Sequence, residues 1–351
     1  MKFLHTADIH LGAKPDAGTA YTQKREREIW NSFQQVIEIC EKEEMDLLLI
    51  VGDLFHRQPL LRELKEVGYL LGKLSHTQVV LTAGNHDYIK ADSYYRTYSW
   101  PSNVHVLLEE TLETIEFPEL ETAVSGFSYH KREIIECTCQ EKNAKHKQKY
   151  EVLLLHGGDE SHVPFQKEKL RKCGYDYIAL GHIHKPQSLV KDKIAYCGAL
   201  EPIDKNDVGQ HGYIIGEITE RGCKTRFVPN AKREYCHVEV EVTPDMTGFA
   251  LREKIDRVIR ENGQQNMYKI ILTGFRDPEV RYDLSGMDVY GNIIEISDET
   301  VPAYDFERIM TNNAHNILGY FIQELKDYDR ESIEYGAMCE GVKALMETRR
   351  D

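Results

Sequence analysis

The sequence has no apolar run long enough to cross a bilayer, no CxxC pair, only 2 tryptophans and no surplus of positive charge. A membrane span needs about 20 consecutive apolar residues, and the longest runs here, such as Leu47–Val51 and Val152–Leu155, are far shorter. The start of the chain lacks a basic segment followed by a long apolar stretch and a small-residue cleavage site, so a cytoplasmic location is expected. The 8 cysteines are scattered, and the closest two, Cys137 and Cys139, are separated by one residue. That spacing gives neither a disulfide framework nor a thiolate metal knuckle, and reduced, mostly buried thiols are expected. With 44 Lys and Arg against 58 Asp and Glu, the formal charge is −14. This excludes a protein that coats nucleic acid by charge alone, though not an enzyme that reaches it through metals. The charge is uneven: residues 131–193 hold 13 basic against 9 acidic side chains, and residues 233–351 hold 14 against 24.

What is present is an ordinary globular composition, 41% apolar and 29% charged over 351 residues, enough for two domains with sizeable cores. Short apolar runs alternate with amphipathic stretches. Strands are expected at Lys2–Ala7, Asp46–Val51 and Gln78–Thr82, with helices at Thr22–Glu44 and Leu60–Ser75, where apolar residues recur at helical spacing. Val104–Leu107, Glu113–Phe117 and Thr122–Phe127 read as a meander. Glu151–Leu155, Tyr177–Leu180, Ile194–Cys197, Tyr213–Ile218 and Cys223–Val228 read as further strands, with a helix near Phe165–Cys173. The pattern predicts two packed sheets with helices on their outer faces. A boundary falls at Pro229–Glu234. A small α+β unit follows, with strands at Cys236–Val242, Met267–Leu272 and Val289–Ile296 and a helix at Thr247–Glu261. Two amphipathic helices are expected from Asp305 onward.

Five of the strands end in polar clusters: Asp8-Ile9-His10, Gly52-Asp53-Leu54-Phe55-His56, Gly84-Asn85-His86-Asp87, His156-Gly157-Gly158 and Gly181-His182-Ile183-His184. Ends of strands facing a crevice are where open α/β sheets place ligands. Any one cluster is a weak signal, but five together are not coincidental. Asp, His and Asn without cysteine suit Mn²⁺, Fe²⁺ or Zn²⁺ rather than a thiolate site. Seven candidate ligands are too many for one ion and suit two, with Asp53 the natural bridging carboxylate. Asp87 could orient His86, although bonding to the local turn backbone is favoured.

The order D-x-H, G-D-x-x-x, G-N-H-D, H-G-G, G-H-x-H resembles the calcineurin-like metallophosphoesterase superfamily over residues 1 to about 230. The opening KFLHTADIHLG, the G-D-L-F-H segment and Tyr196–Glu201 are similar to its SbcD-type branch, nucleases of DNA double-strand-break repair. His56 stands where many superfamily members carry a second Asp, and Ala199 where a serine is common. The resemblance implies a four-layer α/β/β/α metallophosphoesterase core at 1–232, two packed mixed sheets flanked by helices. It further implies an α+β cap at 233–304 and a helical segment at 305–351 that binds an SbcC-type coiled-coil ATPase, in a homodimer. One metal would be held by Asp8, His10, Asp53 and His184, and the other by Asp53, Asn85, His156 and His182. Mn²⁺ would be the favoured ion, with Fe, Zn or Mg as alternatives. His86 would act as acid/base, and His56 would sit by the substrate phosphate.

The leading expectation is a two-metal DNA exonuclease/endonuclease of DNA repair and recombination. A phosphodiesterase or phosphatase of small phosphate esters is the alternative, and a subunit that mainly scaffolds the ATPase is a second one. His5 is expected to be packed or to support the ligands. His76, His105, His130, His146, His162, His211, His237 and His315 show no coherent partner set. Lys142–Lys149 is expected to be a solvated loop, and Tyr94, Tyr95, Tyr98 and Trp100 to pack on the core, with substrate contact as the competing reading for both segments.

Overall fold

The computed structural model describes residues 1–19, 21–136, 143–329 and 332–348. The chain divides into two compact units, Met1–Tyr235 and Cys236–Asp351. In the first unit, β1 (Lys2–Thr6), β2 (Leu47–Val51), β3 (Gln78–Thr82) and β4 (Val104–Val106) run parallel in one sheet. The same sheet is extended on the β1 side by the antiparallel pair β11 (Gly212–Thr219) and β12 (Gly222–Pro229). The second sheet runs in the order β5 (Glu113–Phe117), β6 (Thr122–Gly126), β7 (Tyr150–His156), β8 (Tyr177–Gly181), β10 (Ile194–Tyr196), β9 (Gln187–Val190). Its strands β6, β7, β8 and β10 are parallel, and the two edges are antiparallel.

Both faces of the central strands are covered, which is why they read as unbroken apolar runs. Leu47, Leu49 and Val51 face a core shared with Val124, Val152, Leu154, Tyr177 and Ala179 of the second sheet. The alternate residues Leu48 and Ile50 meet Ile29, Phe33 and Val36 of α1 (Thr22–Lys42) and Leu64 and Val67 of α2 (Leu61–Leu71). Tyr95 of the short α3 (Tyr94–Thr97) joins the same cluster. Beyond the second sheet, Leu153, Leu155, Ile178 and Leu180 pack with Leu170 of α4 (Lys167–Lys172). The layers are therefore α/β/β/α. Each fully buried leucine or isoleucine contributes about 1.5–3 kcal/mol of burial.

The expected meander does not form. β4 pairs parallel with β3, Val79 opposite Val104, and closes the first sheet, whereas β5 opens the second. Short strands with short links look alike in sequence whether or not the chain changes sheet between them. The sequence pattern does not reveal edge strand β9, because its residues are half-exposed or exposed and carry no apolar run.

In the second unit, β13 (Tyr235–Val242), β14 (Met267–Arg276), β15 (Ile293–Asp298) and β16 (Val301–Pro302) form a sheet. Val240, Val242, Tyr268, Ile270 and Leu272 pack on Leu251, Ile255 and Ile259 of α5 (Gly248–Asn262). β15 starts later than expected because Asp288 accepts from the amides of Gly291, Asn292 and Ile293 and holds a turn there. Among the described residues the tail holds three helices rather than two: α6 (Phe306–Asn312), α7 (Ile317–Leu325) and α8 (Ile333–Glu347). Asn316 caps α7 through the amide of Leu318, 3.0 Å away, and breaks the helical pattern. Among the described residues no helix is long and apolar enough to cross a membrane, and Cys40, Cys197, Cys223 and Cys339 are free thiols. Cys137 and Cys139 lie outside the described residues.

His5 sits inside the first unit, where Nδ1 accepts from the Tyr177 hydroxyl at 2.9 Å and Nε2–H donates to the Leu180 carbonyl at 3.2 Å. A neutral imidazole with its proton on Nε2 satisfies both contacts, and burial pushes its pKa down from 6.5 to about 3. The unfolded chain therefore takes up a proton on this residue below pH 6.5 that the folded chain refuses, and stability falls as pH is lowered through that window. The expected slope is up to about 1.4 kcal/mol per pH unit. Urea unfolding across this range in the wild type and in His5→Gln checks it: the variant should lose that component of the slope, and equal slopes would refute the assignment.

Candidate metal centre

The polar clusters meet where the loops after β1, β2 and β3 face those after β7 and β8. Several adopt left-handed backbone that non-glycine residues avoid: Asp8 (φ 48°), His10 (φ 53°), Asp53 (φ 49°) and His182 (φ 92°). Each such residue costs about 1–3 kcal/mol and persists only where its surroundings over-determine it. Here the first two loops are laced together, with the Asp8 amide donating to the Gly52 carbonyl (3.2 Å), His10 to Asp53 (3.0 Å) and Leu11 to Leu54 (2.9 Å). The His182 amide donates to both oxygens of Asp8, at 3.1 and 2.8 Å, which ties the two sheets' loops together. Gly84 leaves room for the centre: a Cβ there would stand 2.2 Å from Asp53 Oδ1 and 2.6 Å from His156 Nε2.

Hydrogen bonds on the far side of three rings settle which nitrogen faces inward. His156 Nδ1 donates to the Val51 carbonyl (2.9 Å), leaving Nε2 3.0 Å from Asn85 Oδ1 and 3.4 Å from Asp53 Oδ2. His184 Nδ1 donates to Asp207 (3.0 Å), leaving Nε2 3.2 Å from His10 Nε2. His182 Nε2 donates to Asp159 (2.7 Å), leaving Nδ1 3.2 Å from Asn85 Oδ1. Asp53 lies between the two groups: its Oδ2 is 3.8 Å from His10 Nε2 as well, and its Oδ1 accepts the His86 amide at 2.9 Å. Asp8 is fully buried and gathers with His10 and His184, and separately with Asp53 and His156, closely enough to share an ion.

The electrostatics have one unmet demand. Burial drives Asp8 up from the usual carboxylate range. Burial acts on Asp53 in the same sense, but His156 and then His10 outweigh it and hold Asp53 low. Burial disfavours charge on His156 and His184 too, yet Asp53 raises the first and Asp207 the second, each to about 9. Among the described residues no lysine or arginine pairs with Asp8 or Asp53. Inward-facing imidazole nitrogens and two buried carboxylates without a lysine or arginine partner are the donor set of a divalent cation, and the residues present fit such an ion.

His86 is exposed at this centre, and its Nδ1 lies 3.1 Å from the His56 carbonyl. His56 Nδ1 is 3.4 Å from His10 Nδ1, and its ring stacks 5.2 Å from that of His86. Asp87 does not orient His86. It accepts from Gly84 N (2.8 Å), Phe55 N (3.2 Å) and the Tyr95 hydroxyl (2.7 Å), so it braces the turn. Tyr95, Tyr98 and Trp100 pack into the core beside α2, and Tyr94 is exposed. In the basic loop, Lys147 pairs with Glu116, and Lys149 with Glu220 and Glu121; Lys142 lies outside the described residues. Ala199 is fully buried, and its amide donates to the His184 carbonyl at 2.9 Å.

Sequence reasoning missed three residues here. His162 has a partner set after all: its Nδ1 lies 2.8 Å from Asp159, and its ring is 4.4 Å from that of His182. Asp159 and His162, three residues apart just after His156-Gly157-Gly158, were a readable signal. Asp207 carried none, because it reaches His184 from a loop 23 residues further on.

Residues 1–186 match the calcineurin-like phosphoesterase family. An uncharacterised metallophosphoesterase, YhaO of Bacillus subtilis (strain 168), is 26% identical over 298 residues, 78% of this chain and 72% of the relative. The DNA double-strand break repair protein Mre11 of Methanocaldococcus jannaschii is 27% identical over 218 residues, 59% of this chain and 58% of the relative. The SbcD polypeptide of the nuclease SbcCD of Staphylococcus epidermidis is 24% identical over 335 residues, 85% of this chain and 85% of the relative. The match over more than half of the sequence and the Asp, Asn and His donors converging at the strand ends agree: this chain belongs to the calcineurin-like phosphoesterase family and is a metal-dependent phosphoesterase.

Proposed function

We propose that the chain is a two-metal phosphodiesterase that cuts DNA, an exonuclease/endonuclease of the SbcD type serving DNA repair and recombination. The observation that carries the two-metal reading is the position of Asp53 between two donor groups, with Oδ2 3.8 Å from His10 Nε2 on one side and 3.4 Å from His156 Nε2 on the other. On this reading Asp8, His10, Asp53 and His184 hold one ion, and Asp53, Asn85, His156 and His182 the other. Oxygen and imidazole donors without thiolate favour Mn²⁺, with Fe, Zn or Mg as weaker fits. Bound ions of this kind polarise a phosphoryl group and lower the pKa of water.

The chain's own residues supply the rest. His184 and His182 are oriented by Asp207 and Asp159, so the ring nitrogens that face inward are aimed before any ligand arrives. His86 donates Nδ1–H to the His56 carbonyl, which leaves Nε2 for proton transfer to the leaving oxygen. Burial and then the neighbouring His86 hold His56 below the usual imidazole pKa, so it meets a phosphate oxygen as a neutral donor. DNA as substrate rests on the names of the Mre11 and SbcCD relatives, and an SbcC-type ATPase partner on the second of these. We assign residues 233–304 as a cap and 305–351 as the ATPase-binding segment, with the chain acting as a homodimer.

Purified protein with Mn²⁺ should degrade linear duplex or single-stranded DNA. Asp53→Asn should abolish this, and His86→Ala should lower kcat by about 10²–10⁴ while both ions still bind by calorimetry. Cleavage of an aryl phosphodiester with DNA untouched would favour the small-ester reading. Two bound ions with no hydrolysis of either would favour the scaffolding subunit.

Asp207→Asn should weaken metal binding by about 10–100-fold without unfolding the chain, because the ring it orients loses its tautomer. Its carboxylate is more enclosed than that of Asp159, with side chains 12% and 45% exposed respectively, so Asp159→Asn should cost less. Calorimetric titration with Mn²⁺ measures both, and unchanged affinity in Asp207→Asn would remove its role.

A further inference from the structure

Beside the candidate centre lies a cleft of about 370 Å³ that shares His56, Asn85 and His86 with it and extends to Arg57, Gln58, Tyr88, Lys90 and Arg132. Its lining holds three permanent cations and no carboxylate, in a chain whose net charge is −14. Arg57 is anchored to Glu63, with Nη2 2.7 Å from Oε1, and so is fixed in direction but largely neutralised. Lys90 and Arg132 form no ion pair among the described residues. The Lys90 ammonium instead lies over the Tyr88 ring, 5.4 Å from its centroid. Two unneutralised cations converging next to the residues placed around the scissile phosphate are an arrangement for a second anionic group on the same substrate.

We propose that the cleft lined by Lys90 and Arg132 binds a phosphate of a nucleic-acid strand that flanks the one being cleaved, so that the enzyme selects a strand with consecutive phosphates over an isolated ester. This rests on the reading of the neighbouring centre as a phosphodiesterase. It adds a specificity element that the metal donors cannot provide, since they meet only one phosphate. Phosphate contacts by lysine and arginine release counterions, so each contributes to the salt dependence of binding. Tyr88 lines the cleft beneath the Lys90 ammonium.

Binding of a fluorescein-labelled 12-nucleotide oligothymidylate, followed by anisotropy at several salt concentrations, tests the subsite with no turnover required. Lys90→Ala/Arg132→Ala should bind about tenfold more weakly, and its slope of log affinity against log salt should shrink by about 0.7, the value for one phosphate contact on a single strand. In a parallel assay, the ratio of kcat/KM for the oligonucleotide to kcat/KM for bis(4-nitrophenyl) phosphate should fall about tenfold in the double variant. Wild-type affinity and salt slope in the double variant would overturn the flanking-phosphate subsite even if the wild type hydrolyses both substrates. A tenfold loss of binding with the reduced slope would uphold it even if the wild type hydrolyses neither, and that outcome would instead count against the phosphodiesterase reading.

Discussion

Asp53 places a carboxylate where water does not reach, and much of the first unit's loop structure answers to that charge. Its oxygens take the His86 amide and face His10 and His156. Its own residue adopts left-handed backbone, as do Asp8, His10 and His182 around it. A buried charge of this kind is tolerable only with matched partners, because the desolvation cost is several kcal/mol per ion. The imidazoles supply part of the match by drawing in protons, which is why His156 is raised to about 9 in spite of burial. A divalent cation held by these donors would supply the rest, and the strained loops keep the donors in place for one.

The fold makes that convergence possible through its parallel strands. β1, β2 and β3 deliver Asp8, Asp53 and Asn85 at one edge because they run in the same direction, and β7 and β8 deliver His156 and His182 from the opposing sheet for the same reason. The inter-sheet core of Leu47, Leu49, Val51, Val152 and Leu154 sets the spacing between the two edges. A chain with net charge −14 can still address an anionic substrate because the relevant charge is local: the cleft wall beside His86 carries Arg57, Lys90 and Arg132 and no carboxylate. Bulk charge governs long-range steering, whereas the contact itself depends on the few groups within a Debye length.

The legible parts of the sequence share a physical cause. A strand buried on both faces must be apolar throughout, so its end is visible as the first polar residue, and polar clusters at Asp8, Asp53, Asn85, His156 and His182 stand out for that reason. The illegible parts involve pairing between distant segments. Whether β4 joins β3 or β5 is decided by hydrogen-bond partners that the local pattern of Val104–Val106 does not encode. Half-exposed strands such as Gln187–Val190 lack the contrast that marks a buried one. The three helices after Asp305 blur into two because their breaks are made by caps at Asn316 and Ser332 rather than by glycine or proline.

The sequence by itself determined the kind of chemistry: which residues are Asp, Asn and His, that they follow apolar strands, and that no thiolate takes part. Those facts follow from composition and periodicity, which are local. Only the tertiary structure decided which nitrogen of His156, His182 and His184 faces inward, because that choice belongs to Val51, Asp159 and Asp207, residues up to 105 positions away. It also decided that Asp87 braces a turn instead of orienting His86, and that Lys90 and Arg132 border the same cleft as His56. Orientation and neighbourhood are properties of packing, and packing joins segments that the linear order keeps apart.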